Sequence, residues 1–74
     1  MPVRRRFVVC LQNTGYEVSL ERRKIYVVVP DPEAAKHQQL RVVDESGEDY
    51  LYPASYFAPI TLPEPLRTAV LAAA

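Results

Sequence analysis

The sequence predicts a mainly β fold: five short strands forming a small barrel, with a short helical turn between the second and third strands and a short C-terminal helix. Three observations predict it. The chain has 74 residues, enough for one domain that buries only about 60% of the surface its unfolded form exposes. Seven prolines and two glycines divide it into short segments, which suits strands joined by turns better than a helical bundle. The segments between them are β-branched and aromatic, as pleated, half-buried surfaces require. With 49% apolar residues the chain has enough to bury, which excludes a disordered one.

Residues 6–11, RFVVCL, form the first strand candidate. Phe7, Val9 and Leu11 share one face and Val8 and Cys10 the other. QNTGYEVSLERRK follows as a long loop in which Asn13, Thr14 and Gly15 start a turn, Gly15 being free to take positive φ. The second strand, KIYVVV (24–29), stops at Pro30, which has no amide hydrogen for a ladder. DPEAAKHQQ (31–39) reads as one or two helical turns. Asp31 caps the amides, Pro32 fits the first helical position, and Glu33 meets the positive end of the dipole. LRVVD (40–44) is the third strand. Glu45, Ser46, Gly47 and Glu48 make a tight hairpin turn with Gly47 left-handed, and DYLY (49–52) returns as the fourth. PASYF (53–57) is a tight turn. PITL (59–62) is the closing strand, with Pro59 confined to an edge or a non-bonded position. In PEPLRTAVLAAA (63–74), Leu66, Ala69, Val70 and Ala73 fall on one helical face, and Arg67 and Thr68 on the other. The expected division is therefore a flexible basic N-terminus over 1–5, the barrel over 6–62, and a C-terminal helix or tail over 63–74.

Charge and cysteine content narrow the function classes. Lys plus Arg equal Asp plus Glu, nine against nine, so no net field draws the protein to nucleic acid or membrane. One cysteine cannot make an internal disulfide, and with one histidine there is no Cys/His metal set. A reducing, cytoplasmic setting is expected, and no cofactor or metal. The apolar run Phe7–Leu11 ends at Gln12 and Asn13, short of the roughly 7–15 residues of an export signal. No stretch approaches the ~20 apolar residues of a spanning helix, so no membrane contact is expected.

Five short strands, a long first loop and a helical turn between the last two strands resemble a Src-homology-3-type barrel. YLYPASYFAPI resembles the end of such a domain, with Pro53 and Tyr56 in the turn before the closing strand. GYEVSLERRKIYVVV resembles its long loop, diverging turn and second strand, and this resemblance implies that Leu20 plugs the core. More closely, the chain resembles a group of small bacterial and phage proteins of unassigned function. The shared pattern is carried by Cys10, Asn13, Gly15, Tyr16, Glu17, Leu20, Lys24, Tyr26 and Val28, then RVVDESGEDYLYP, and covers residues 7–62. It implies a fold and no activity. The chain departs from the peptide-binding adaptors of that class: it has no tryptophan, and Val9, Cys10 and Leu11 stand where those modules have alanine, leucine and tyrosine. Polyproline recognition is not expected of it.

Catalysis would need Cys10 with His37, or a serine with His37 and a carboxylate. Cys10 lies mid-strand among apolar residues, where cysteines are mostly buried and inert, and His37 lies in a polar helical turn. No catalytic residue is expected. The carboxylate pairs Asp44/Glu45 and Glu48/Asp49 lie at a hairpin tip, where exposure to water is the ordinary outcome, and metal-loop spacing is absent. Two binding readings follow. Tyr16, Glu17, Tyr50, Tyr52, Pro53 and Tyr56 are the candidates for a surface that meets another protein, because tyrosine combines apolar area with a polar tip. Tyr50 or Tyr52 is expected to be partly buried and Tyr56 to pack on the closing turn. The alternative is nucleic acid held by Arg4, Arg5 and Arg6 together with Arg22, Arg23 and Lys24, if both triplets share one rim of the barrel. Pairing with a second copy, through open strand edges or the C-terminal helix, would enlarge a marginal core.

Overall fold

Five strands and two short helices account for most of residues 6–73, which the computed structural model describes. They run in the order β1 (Arg6–Cys10), β2 (Ile25–Val29), α1 (Pro32–Lys36), β3 (Gln39–Val43), β4 (Asp49–Pro53), a 3-10 turn (Ala54–Tyr56), β5 (Phe57–Ile60) and α2 (Glu64–Ala73). The strands form one antiparallel sheet in the order β4-β3-β2-β1-β5. β4 and β5 are its edges, and no ladder joins them among the described residues. Residues 1–5, expected to be a flexible basic terminus, lie outside the described residues.

Period-2 alternation sorts the side chains to two faces. Val8, Cys10, Tyr26, Val28, Val42, Tyr52 and Phe57 turn to one face and form the core with Leu20, and Leu40 and Tyr56 pack against it. On the other face Phe7 stands opposite Val27 in the β1–β2 register, and both are buried. A sheet apolar on both faces needs a second cover, and α2 supplies part of it. The Arg67 guanidinium lies 4.8 Å from the Phe7 ring centre, a cation–π contact reinforced by burial of the arginine stem.

That contact corrects the expected face of α2. Among residues 64–72, Arg67 and Val70 are half-buried; Val70 is on the expected face, whereas Leu66 is 52% exposed and Ala69 is exposed. The helical period is right, but the face is rotated, because Arg67 lays a side chain only 14% exposed over an aromatic ring.

The closing strand runs over Phe57–Ile60, two residues earlier than expected. Phe57 pairs with Cys10 and fills the core. Leu11 N–H donates to Tyr56 O at 2.8 Å, so by antiparallel alternation the Val8↔Pro59 pair is a non-hydrogen-bonded one. Pro59 therefore withholds no ladder bond, and the edge tolerates it mid-strand. The third strand begins at Gln39 and the fourth extends to Pro53. α1 is capped as expected: Asp31 Oδ1 accepts from Ala34 N–H at 3.1 Å, and Pro32 opens the helix. Asp31 also holds Arg41 Nε at 2.8 Å, which ties the helix start to β3.

A candidate binding surface at the first loop

The loop 11–24 crosses one end of the core and is held there from within. Leu20 is sealed from water, and Asn13 Nδ2 donates to Leu20 O at 3.0 Å, closing the loop on itself. The loop is also stitched to the 3-10 turn. Leu11 and Gln12 N–H both reach Tyr56 O, at 2.8 and 3.3 Å, and the Tyr56 hydroxyl donates to Thr14 O at 3.0 Å. These bonds deliver Tyr16 onto two tyrosines from the far end of the chain. Its ring centre lies 4.9 Å from that of Tyr52 and 6.0 Å from that of Tyr56, both edge to face. Such pairs are favourable because the positive edge of one ring meets the negative face of the other. Tyr52 is buried and Tyr56 half-buried, while Tyr16 remains 38% exposed. Glu17 is exposed beside it, and Val18 is 98% exposed at the loop tip.

Of the six residues expected on this surface, Tyr16, Tyr52 and Tyr56 are brought together, and half-buried Pro53 leads into their turn. Tyr50 stands apart. It is 50% exposed, its hydroxyl donates to Glu48 at 2.9 Å, and it takes no part in the ring contacts. The core pleat that buries Tyr52 carries Tyr50 beyond the last covering residue.

The hairpin turn differs from expectation in one respect. Asp44 is not at an exposed tip; it is 7% exposed and faces inward. Its carboxylate accepts from Ser46 N–H at 2.8 Å, Ser46 Oγ at 2.5 Å and the Tyr52 hydroxyl at 2.6 Å. The phenol has one proton and gives it to the carboxylate, so Ser19 Oγ, 2.9 Å away, donates to the phenol oxygen. Burial pushes the Asp44 carboxyl upward, but the Ser46 and Tyr52 bonds outweigh it and hold the group below the ordinary aspartate value. The adjacent Glu45 accepts from the Tyr26 hydroxyl at 2.6 Å, and Lys24 Nζ reaches its two oxygens at 2.8 and 2.6 Å. Lys24 first and Tyr26 second lower its carboxyl. Burial and the Glu45 bond raise the Tyr26 phenol strongly. Glu21 N–H donates to Tyr26 Oη at 2.7 Å and Glu45 N–H to Ser19 O at 3.1 Å. Two neighbouring carboxylates thus clamp the first loop to the β3–β4 hairpin. Ser19, Tyr26, Asp44 and Glu45 were not singled out as a set by the sequence reading. Its available signal was that Tyr26 and Tyr52 alternate in phase with core valines, so each carries a buried hydroxyl that needs a partner.

Among the described residues, Arg6 does not share a rim with Arg22, Arg23 and Lys24. Arg6 pairs with Val28 at one end of the β1–β2 ladder, while Arg23 N–H donates to Cys10 O at the other end. Antiparallel pairing over a five-residue strand separates those ends by about 13 Å at ~3.3 Å per residue. Arg4 and Arg5 lie outside the described residues. Arg22 Nε donates to Leu11 O at 3.3 Å, and Lys24 is engaged with Glu45 and lies over the Tyr26 ring.

Cys10 is fully buried, its thiol donating to Gln12 O at 3.3 Å, and burial pushes that thiol up. His37 is exposed at the C-terminal cap of α1. No group of three or more His, Cys, Asp and Glu placed to hold a metal ion occurs among the described residues. No helix there is long and apolar enough to cross a membrane. Compared with protein-family models, curated proteins and solved structures, the chain matches none.

Proposed function

We propose that the chain is a small, non-enzymatic protein-binding module on a Src-homology-3-type barrel, with the seam between the first loop and the 3-10 turn as its contact surface. The strand order β4-β3-β2-β1-β5 and the 3-10 turn between the last two strands support the barrel reading. The observation that carries the binding reading is the meeting of Tyr16 and Tyr56, 40 positions apart in sequence, at a ring separation of 6.0 Å. Tyr16 and the fully projecting Val18 leave apolar area in water at a seam whose backbone is pinned by hydrogen bonds. Rigid aromatic area with polar tips supports binding because little side-chain entropy is lost on contact. Nucleic acid ranks second, since Arg6 lies away from Arg22–Lys24 and Lys24 is already paired.

A photo-reactive residue at exposed position 17 tests the reading in the protein's native cells. A discrete cross-linked protein is expected, and it disappears in Tyr56→Ala while circular dichroism stays unchanged. Cross-links to nucleic acid alone, or a protein adduct indifferent to Tyr56→Ala, would overturn it.

A further inference from the structure

On the sheet face opposite the tyrosine seam, an open groove of about 590 Å³ runs between α2 and the ends of β2 and β3. Ile25, Val27, Val43 and Val70 give it an apolar lining. We propose that this groove is a second peptide site, which takes an extended apolar segment bearing a carboxylate from another protein.

The backbone supports an extended ligand. β2 and β3 are in register only at Val28↔Val42 and Val29↔Arg41. Toward Ile25 and Glu45 the two strands part. On its other side β2 is laddered to β1 as far as Val9↔Ile25, and Cys10 N–H donates to Lys24 O at 2.9 Å. By antiparallel alternation, Tyr26 and Val28 then turn their peptide groups to β1 and Ile25 and Val27 turn theirs away from it. The Val28↔Val42 pair commits the Val27 carbonyl to Val43 N–H, which leaves the Ile25 peptide groups and the Val27 N–H at the parting with β3. A strand laid there meets the Ile25 N–H and C=O and the Val27 N–H along one edge, beside the apolar side chains of the groove, the pattern of strand addition.

The charge at the mouth selects the ligand's sign. Arg23 and Lys24 stand there with Asp44 and Glu45. Lys24 is neutralised by Glu45, and Asp44 is turned to Tyr52 and Ser46. Among the described residues the Arg23 guanidinium has no ion-pair or hydrogen-bond partner. Its backbone sits at φ 69°, in the left-handed region that glycine and asparagine occupy more cheaply. A strained position thus carries a long cation whose unmatched charge faces an apolar groove. A guanidinium so placed suits a carboxylate, which it meets through parallel hydrogen bonds.

Methyl NMR of the full chain tests this with two acetylated, amidated hexapeptides, Val-Thr-Val-Asp-Val-Thr and its Asn-for-Asp counterpart. The Asp peptide is expected to shift the methyls of Ile25, Val27, Val43 and Val70 saturably. It should bind up to about fivefold tighter than the Asn peptide, the range of a solvent-accessible ion pair. Arg23→Asn relieves the backbone strain and so folds at least as well, yet it should abolish that preference. The proposal fails if the shifts lie elsewhere, if neither peptide saturates, or if the preference survives in Arg23→Asn. It fails equally if the same methyls move with protein concentration alone, which would make a second copy the occupant. None of these outcomes depends on Tyr16 or Tyr56, so the site stands or falls separately from the tyrosine seam.

Discussion

The Tyr52 hydroxyl donates to a carboxylate that is nearly closed off from water, while the Tyr50 hydroxyl donates to Glu48 in the open. The two bonds look alike on paper and differ in what their loss leaves behind. Tyr52→Phe strands an oxygen of a buried anion, at a cost of about 1–3 kcal/mol. Tyr50→Phe lets water replace the phenol, so the effect should lie within about 0.5 kcal/mol. Urea unfolding of both variants checks this, and equal midpoints would show that the Asp44 site is wetter than its burial implies. Alternation along DYLY shows that Tyr50 and Tyr52 share a face, but not which of them the first loop covers. That depends on where Ser19 and Tyr16 arrive, from more than thirty residues upstream.

Among the elements, the first loop and α2 invert what their sequences suggest. The loop is rich in polar and turn-forming residues, yet it is built into the fold through Leu20, the Ser19 contacts and the two carboxylates. α2 is the longest regular element, yet Leu66 and Leu71 remain substantially exposed. Leu20→Ala should cost about 2–5 kcal/mol, because it empties a fully buried site that the loop cannot readily collapse into. Leu66→Ala should cost less than about 1 kcal/mol, since half its surface is already in water. A thermal unfolding series separates the two, and comparable losses would mean that α2 is far more tightly seated than its exposure shows. The resemblance to a diverging-turn barrel anticipated the Leu20 plug. The hydrophobic period of α2 was legible too, but its rotation was not, because Arg67 over Phe7 is a contact between ends of the chain.

At the scale of the whole molecule, stability should form a plateau bounded on both sides by groups that join elements. Asp31 is lowered chiefly by its bond to Arg41, Glu45 chiefly by Lys24, and Asp44 by Ser46 and Tyr52 against the opposing effect of burial. A carboxyl depressed in the folded state contributes stability that is complete above its unfolded value, about 4. That contribution is lost as pH falls through the depressed native value. Tyr26 and Tyr52 are raised, first by burial and then by their carboxylate partners. Their contribution is complete below the unfolded phenol value, about 10, and is lost as pH rises beyond it. Burial also raises the Cys10 thiol, whose unfolded value is about 8.5, so urea midpoints should be flat between about pH 5 and 8 and fall on either side. A midpoint that rose on acidification below pH 4 would contradict the signs of all three carboxyl shifts.

The sequence by itself determined the number, kind and order of the elements. Period-2 valine runs, prolines at segment ends, Asp31 before Pro32 and Gly47 in its turn are local signals, and each acts within a few residues. Only the tertiary structure decided which tyrosines meet, that Asp44 is buried and not a solvated turn acid, and that Arg6 lies at the opposite end of the ladder from Arg23 and Lys24. Those outcomes rest on strand register and on the path of one fourteen-residue loop. Both are set by pairing between distant segments, where a shift of one residue would exchange the buried and exposed faces of every strand involved.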